Sequence, residues 1–174
     1  MFSQIKIGDK SPKTVNAIIE IPQKTSNKYE YDEKMDIIKL DRVLHSPMFY
    51  PVDYGFIPGT RSSDGDNLDV MVLTDSPVFT GCLMEVRPIG LFIMCDEEGD
   101  DEKILAVPAK NPHYNHIEKL SDVPEHFLKE ITHFFNEYKK LEKNKTACVK
   151  GWKDQEEAYA FIEKAVKIYE EEQK

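Results

Sequence analysis

The apolar residues of this chain change their spacing once along its length, and that change constrains the fold more than any single motif. Through about residue 107 they tend to recur at every second position, and from about residue 121 at every third or fourth. Val15, Ala17, Ile19 and Ile21 share one face of a predicted strand over 15–22, opposite Asn16, Ile18 and Glu20. In Lys28-Tyr29-Glu30-Tyr31 the same period puts Lys28 beside Glu30 and the tyrosines on the other face. Further strands are predicted over 35–43, 68–73, 84–94 and 103–107. The aromatic stretch from Phe49 to Gly59 is broken by Pro51, Gly55 and Pro58 and reads as a loop or an irregular edge. Residues 1–14 are polar with little period, a short arm or a poor helix. Ser121-Asp122-Val123-Pro124 is a cap with a proline in the first turn, after which Phe127, Leu128, Ile131, Phe135 and Tyr138 recur at helical spacing with Val123. A second helix starts near Asp154, with Glu157 in a capping-box-like place and Ala158, Phe161, Ile162, Ala165 and Tyr169 on one stripe. Strands followed by two helices predict an α+β fold, most simply a small barrel with the helices packed outside. No internal repeat or linker divides the 174 residues, so 1–174 reads as one domain.

Hydrophobic content of 40% and charged content of 32% fit a soluble globular protein. The apolar runs fall short of a membrane span, and the N-terminus lacks the pattern of a signal peptide. A net charge of -9 argues against nucleic acid and anionic membrane as partners. Cys82, Cys95 and Cys148 are odd in number, scattered and without metal-knuckle spacing. The expectation is reduced, structural thiols in a cytoplasmic protein.

The densest acidic feature is Asp64-Gly65-Asp66-Asn67-Leu68-Asp69, running into the apolar strand. A solvated turn accounts for it, since Asp, Gly and Asn dominate turns. A calcium loop of the EF-hand type does not: that loop needs Gly at its sixth position and Glu at its twelfth, and Asp69 and Asp75 stand there. A second cluster, Asp96-Glu97-Glu98-Gly99-Asp100-Asp101, ends another strand-like run. If the strands close, Glu20, Glu30 and both clusters converge at one mouth. Two like charges about 4 Å apart repel by roughly 4 kcal/mol at an effective dielectric near 20, so such a mouth needs cations. Oxygen ligands with no His or Cys beside them point to magnesium or manganese rather than zinc. The alternative is that the clusters sit on separate loops and keep the protein soluble.

Lys28, Arg42, Tyr50, Tyr54, Lys103, Tyr138 and Lys139 form a cationic and phenolic set. Each has an ordinary reading as a solvated lysine, a core aromatic or a helix end. Beside metal-bound carboxylates they would clamp phosphate, and bound divalent ions would reverse the field of the acidic pocket. His45, His113, His116, His126 and His133 show no metal or triad spacing. There is no Gly-rich phosphate loop and no nucleophile elbow.

The run Asp64-Gly65-Asp66-Asn67-Leu68-Asp69-Val70 resembles the signature of the family I soluble inorganic pyrophosphatases. Ile19-Glu20-Ile21-Pro22, Lys28-Tyr29-Glu30, Asp41-Arg42, Phe49-Tyr50-Pro51, Asp53-Tyr54-Gly55, Asp96-Glu97 with Asp101 and Lys103, and His133-Phe134-Phe135 with Tyr138-Lys139 follow in family order. The resemblance implies a five-stranded OB-like barrel with two main helices, and magnesium-dependent hydrolysis of pyrophosphate to two phosphates by in-line attack of a metal-bound water. It also implies roles. Asp64, Asp69, Asp101 and Asp96 match metal ligands, and Glu20 and Glu30 an outer acidic pair. Asp66 matches the general base. Lys28, Arg42, Tyr54, Lys103, Tyr138 and Lys139 match phosphate-binding groups, with Tyr50 and Glu97 in support. The short length is similar to that of the prokaryotic, hexameric form. Two departures stand out: Asn67, where the family commonly has Pro or Glu, and Asp53, where some members have Asn. A non-catalytic divalent-metal-binding module and a magnesium-dependent nucleotide phosphohydrolase remain the rival readings.

Overall fold

Val15–Ile21 forms strand β1, which pairs antiparallel on one side with β4 (Asp53–Phe56) and on the other with the long β6 (Leu83–Asp96). The computed structural model describes residues 2–97 and 99–174; Glu98 of the second acidic cluster lies outside them, as does Met1. From β4 the pairing continues antiparallel to β5 (Asp69–Val72), parallel to β7 (Gly99–Pro108) and antiparallel back to β6. These five strands close a ring, the architecture expected of an OB-like barrel. β8 (Ala147–Lys153) adds to the outer side of β6, and β2 (Asn27–Asp32) with β3 (Ile37–Val43) forms a separate two-stranded sheet.

The ring strands bury both faces. On β5, on Leu73 just after it and on β7, Val70, Val72, Ile104 and Ala106 enter one core while Met71, Leu73, Leu105 and Val107 enter another, as period-two side chains must. Helix α1 (Glu125–Glu137) covers the second core with Ile131, Phe134 and Phe135. Helix α2 (Gln155–Glu172) covers the first with Ala158, Ile162 and Ala165. Asp154 is the N-cap of α2, but its side chain makes no cap hydrogen bond.

Three local expectations are corrected. Tyr54, Gly55 and Phe56 lie on a buried strand of the ring rather than in a loop. Gly55 is required there, because a Cβ would fall 1.9 Å from the Ile18 carbonyl oxygen. Ile21 parts from Val15, Ala17 and Ile19 and enters the other core, because the pairing with β4 shifts register between Ile19 and Ile21. Cys95 and Cys148 are not reduced thiols: they are direct partners across β6 and β8, with Cα atoms 5.2 Å apart, and form a disulfide. Cys82 remains free.

Candidate active site

The parallel register of β5 and β7 sets Asp69 opposite Lys103, and alternation along β7 turns Asp101 to the same side. Lys103 Nζ donates to Asp69 Oδ2 at 2.7 Å and to Asp101 Oδ1 at 2.7 Å, with only 2% of the residue exposed. The Tyr54 hydroxyl donates to the same Asp69 oxygen, and Lys103 Nζ sits 5.4 Å from the Tyr54 ring centroid. Burial works against the Lys103 charge, but the two carboxylates outweigh it and raise its pKa. Burial pushes Asp101 up to about 6, with Asp69 adding and Lys103 opposing. Glu20, at the register shift of β1, accepts the Tyr31 amide at 2.6 Å. Burial, then the charge of Asp69, pushes it up to about 8.

Asp64 and Asp66 lie on the exposed turn before β5. Gly65 between them has φ +91°, a conformation that favours glycine, and the Asp66 amide donates to Asp64 Oδ1 at 2.9 Å. Partial desolvation and the like charges of Asp64, Asp69 and Glu30 raise Asp66.

Across the β2–β3 hairpin Lys28 pairs with Arg42, and a register shift leaves Asp41 as an extra residue beside them. Lys28 Nζ contacts Glu30 and lies 3.3 Å from Asp41; Arg42 Nη1 donates to Asp41 at 2.6 Å. Burial opposes the Asp41 charge, but these two cations outweigh it and lower its pKa. Arg42 Nε lies 2.9 Å from the buried Glu142. Arg42 Nη2 is buried without a hydrogen-bond partner among the described residues.

On the fourth side Lys139 donates to Asp96 at 2.8 Å and lies 3.5 Å from Glu97, which Lys145 meets at 2.5 Å. Glu97 falls to about 2, because Lys145 and its hydrogen bonds overcome desolvation. Tyr138 stacks on Phe134 at 5.1 Å, and Tyr50 packs between Phe134 and Tyr54. Burial raises all three phenols, Tyr50, Tyr54 and Tyr138, and keeps them neutral donors.

These groups form one constellation. The field at Tyr138 includes Asp101, Arg42, Asp96 and Asp69, and Glu20 feels Asp69, Lys28 and Glu30. The predicted site residues thus come together, while all five histidines are exposed and stand apart. Asp53 also stands apart: its buried carboxylate accepts the Gln23 amide at 2.7 Å and the Thr74 hydroxyl at 2.5 Å. Sequence reasoning missed Glu142, which lies beyond the periodic part of the first helix. It also gave Asp41 no role, although the Asp41-Arg42 pair was itself a signal. The donor set is all oxygen, which suits a hard divalent cation; among the described residues no three such groups are gathered at one point, and Lys103 and Lys139 stand beside Asp69, Asp101 and Asp96 instead.

The family described as Inorganic pyrophosphatase matches residues 17–170. The chain is 50% identical over 157 residues to the inorganic pyrophosphatase of Methanosarcina mazei, covering 90% of this chain and 92% of that one. It is 45% identical over 170 residues to the enzyme of Thermus thermophilus, covering 97% of each. The crystal structure of inorganic pyrophosphatase from Thermus thermophilus superposes with a TM-score of 0.95 at 44% identity, covering 97% of this chain and 98% of that chain.

Proposed function

The chain belongs to the inorganic pyrophosphatase family and hydrolyses pyrophosphate, and from that premise we propose how its own side chains divide the work. The observation that carries the proposal is Lys103, a buried cation wedged between two carboxylates with a neutral phenol beside it. Acid and base alternate around the site, so it takes up cations and phosphate oxygens together.

We assign Asp64, Asp69, Asp101 and Asp96 as the residues that would hold magnesium, with manganese as a substitute and Glu20 and Glu30 as the outer acidic pair. Divalent ions bound there would neutralise the substrate and make a coordinated water more acidic. Lys28, Arg42, Lys103 and Lys139 hold the phosphate oxygens as cations, and Tyr54 and Tyr138 as neutral donors. The unpartnered Arg42 Nη2 is a donor already directed by Glu142 and Asp41. Asp66 takes the proton from the attacking water, and its raised pKa brings it nearer the range where a base both accepts and releases protons. Attack is in line with the departing phosphate, whose developing charge the lysines stabilise, so no covalent phospho-enzyme is needed. Tyr50 supports Tyr54, and Glu97 orients Lys139.

We also read the chain as a single domain that assembles into hexamers. Support comes from Met35, Ile37, Leu40 and Val43, apolar and exposed on the hairpin. Light scattering should return about six times 20.1 kDa, and the monomer mass would refute the assembly. The test of function is phosphate release from pyrophosphate, triphosphate and ATP with and without magnesium. Pyrophosphate with magnesium should lead; equal turnover of ATP would favour a nucleotide phosphohydrolase, and no turnover a binding module.

A further inference from the structure

The acidic turn and the phosphate-facing hairpin belong to different sheets, so something must set their separation. Arg61 lies between them, only 9% exposed. Its Nη1 donates to the Gly65 carbonyl, inside the acidic turn, at 2.6 Å. Nη1 and Nη2 reach the two oxygens of Glu33 at 3.1 and 3.3 Å, a fork on a carboxylate at the tip of the β2–β3 hairpin. Nε donates to Glu172, near the end of α2, at 2.8 Å, and the Arg61 amide donates to the Ala165 carbonyl at 2.9 Å. The same Glu33 accepts from Asn67 Nδ2 at 2.8 Å. A side-chain bond from Asn67 thus ties the acidic turn directly to the hairpin.

We infer that Arg61, Glu33 and Asn67 form a brace that fixes the turn bearing Asp64 and Asp66 against the hairpin bearing Lys28 and Arg42. They are positioning residues for hydrolysis. The inference rests on the assignment of Asp66 as proton acceptor only for its effect on rate; the mechanical connection stands on the contacts alone. When the brace is cut, Lys28 stays held by Asp41 and Arg42 by Asp41 and Glu142 while the turn bearing Asp66 loosens, so the loss falls on kcat rather than on KM. Misplacement of a reacting group by about 1 Å can cost up to a hundredfold.

The test compares Glu33→Ala with Glu33→Gln. Glu33 is exposed, and Arg61 keeps Glu172 and the Gly65 carbonyl without it, so both variants keep a melting temperature close to that of the parent. The alanine variant should lose about tenfold to a hundredfold in kcat with little change in KM. Amide hydrogen exchange across residues 62–67 should quicken in the same protein. Glutamine keeps an acceptor for Arg61 and Asn67 and should retain most of kcat. Arg61→Gln should repeat the alanine phenotype, with its stability measured alongside. Parental kcat and parental exchange in Glu33→Ala would overturn the brace, as would an equal loss in Glu33→Gln, which would trace the effect to charge. Faster exchange without a fall in kcat would leave the brace standing and overturn its role in rate; an active Asp66→Asn would point instead to the base assignment.

Discussion

Lys103 and Asp69 face each other across a parallel strand pair, and their side chains meet at 2.7 Å, the lysine almost closed to water and the carboxylate partly open to it. The ion pair is a consequence of register, since one residue of slip would turn Asp69 to the other core. Lys103 could not keep its charge at that depth without the carboxylates beside it.

Lys103→Met should destabilise the chelated protein by roughly 1–3 kcal/mol, because two part-buried carboxylates lose the cation they share. Added divalent cation should restore part of that loss, because the freed carboxylates gain another counter-ion. Urea unfolding with and without magnesium measures both. A variant as stable as the parent without metal would show that Asp69 and Asp101 are protonated or solvated in its absence.

Asp66→Asn keeps shape and removes the carboxylate proposed as proton acceptor. Turnover at neutral pH should fall by at least about a hundredfold, while folding and magnesium affinity hold. Protonation of Asp66 should set an acid limb in the parental rate. That limb should vanish in the variant, and rate should recover partly as hydroxide becomes available. Turnover near the parental level would mean another group accepts the proton.

Glu20 gives a pH test of the metal-free fold. Its pKa in the folded protein is about 8, above the ordinary 4.5, so folding strengthens its hold on a proton. The associated stability is complete below 4.5 and is lost as pH rises through about 8. Glu20→Gln cannot ionise and still accepts the Tyr31 amide. In chelator its melting temperature should match the parent near pH 4.5 and exceed it near pH 8.5. An equal difference at both pH values would contradict the burial of this charge.

The Cys95–Cys148 bond closes a loop between residues 53 positions apart. Chain-entropy arguments give about 4 kcal/mol for a loop of that size. Reduction, or Cys148→Ser, should lower stability by up to that amount. Asp96 follows Cys95 on β6, so loosening there should also weaken magnesium binding. Unchanged melting under reductant would show that the strand pairing alone holds β6 to β8.

The parts legible in the sequence are those whose pattern repeats. The Asp64–Asp69 turn runs into Val70-Met71-Val72, a strand buried on both faces, and both helices follow their apolar stripes. Where one residue answers a contact from far away, the pattern breaks. Gly55 looked like punctuation because its reason, the Ile18 carbonyl, lies 37 positions earlier. β8 was invisible because its residues alternate only between half-buried and exposed, and without it Cys148 had no partner. Arg61 and Glu33 carry no motif at all; three-dimensional placement alone joins them.

The ring closes by pairing Val15 with Val86 and by laying β5 parallel to β7, so its order in space is far from its order along the chain. Contacts of such long reach are slow to form, because the loops between them must be closed first. No single stretch of consecutive residues holds the whole site, whose members run from Glu20 to Glu142. Catalysis is thus a late arrival in refolding: helical signal should return first and turnover last. A nascent chain released before residue 138 would lack Tyr138 and Lys139 and be inert.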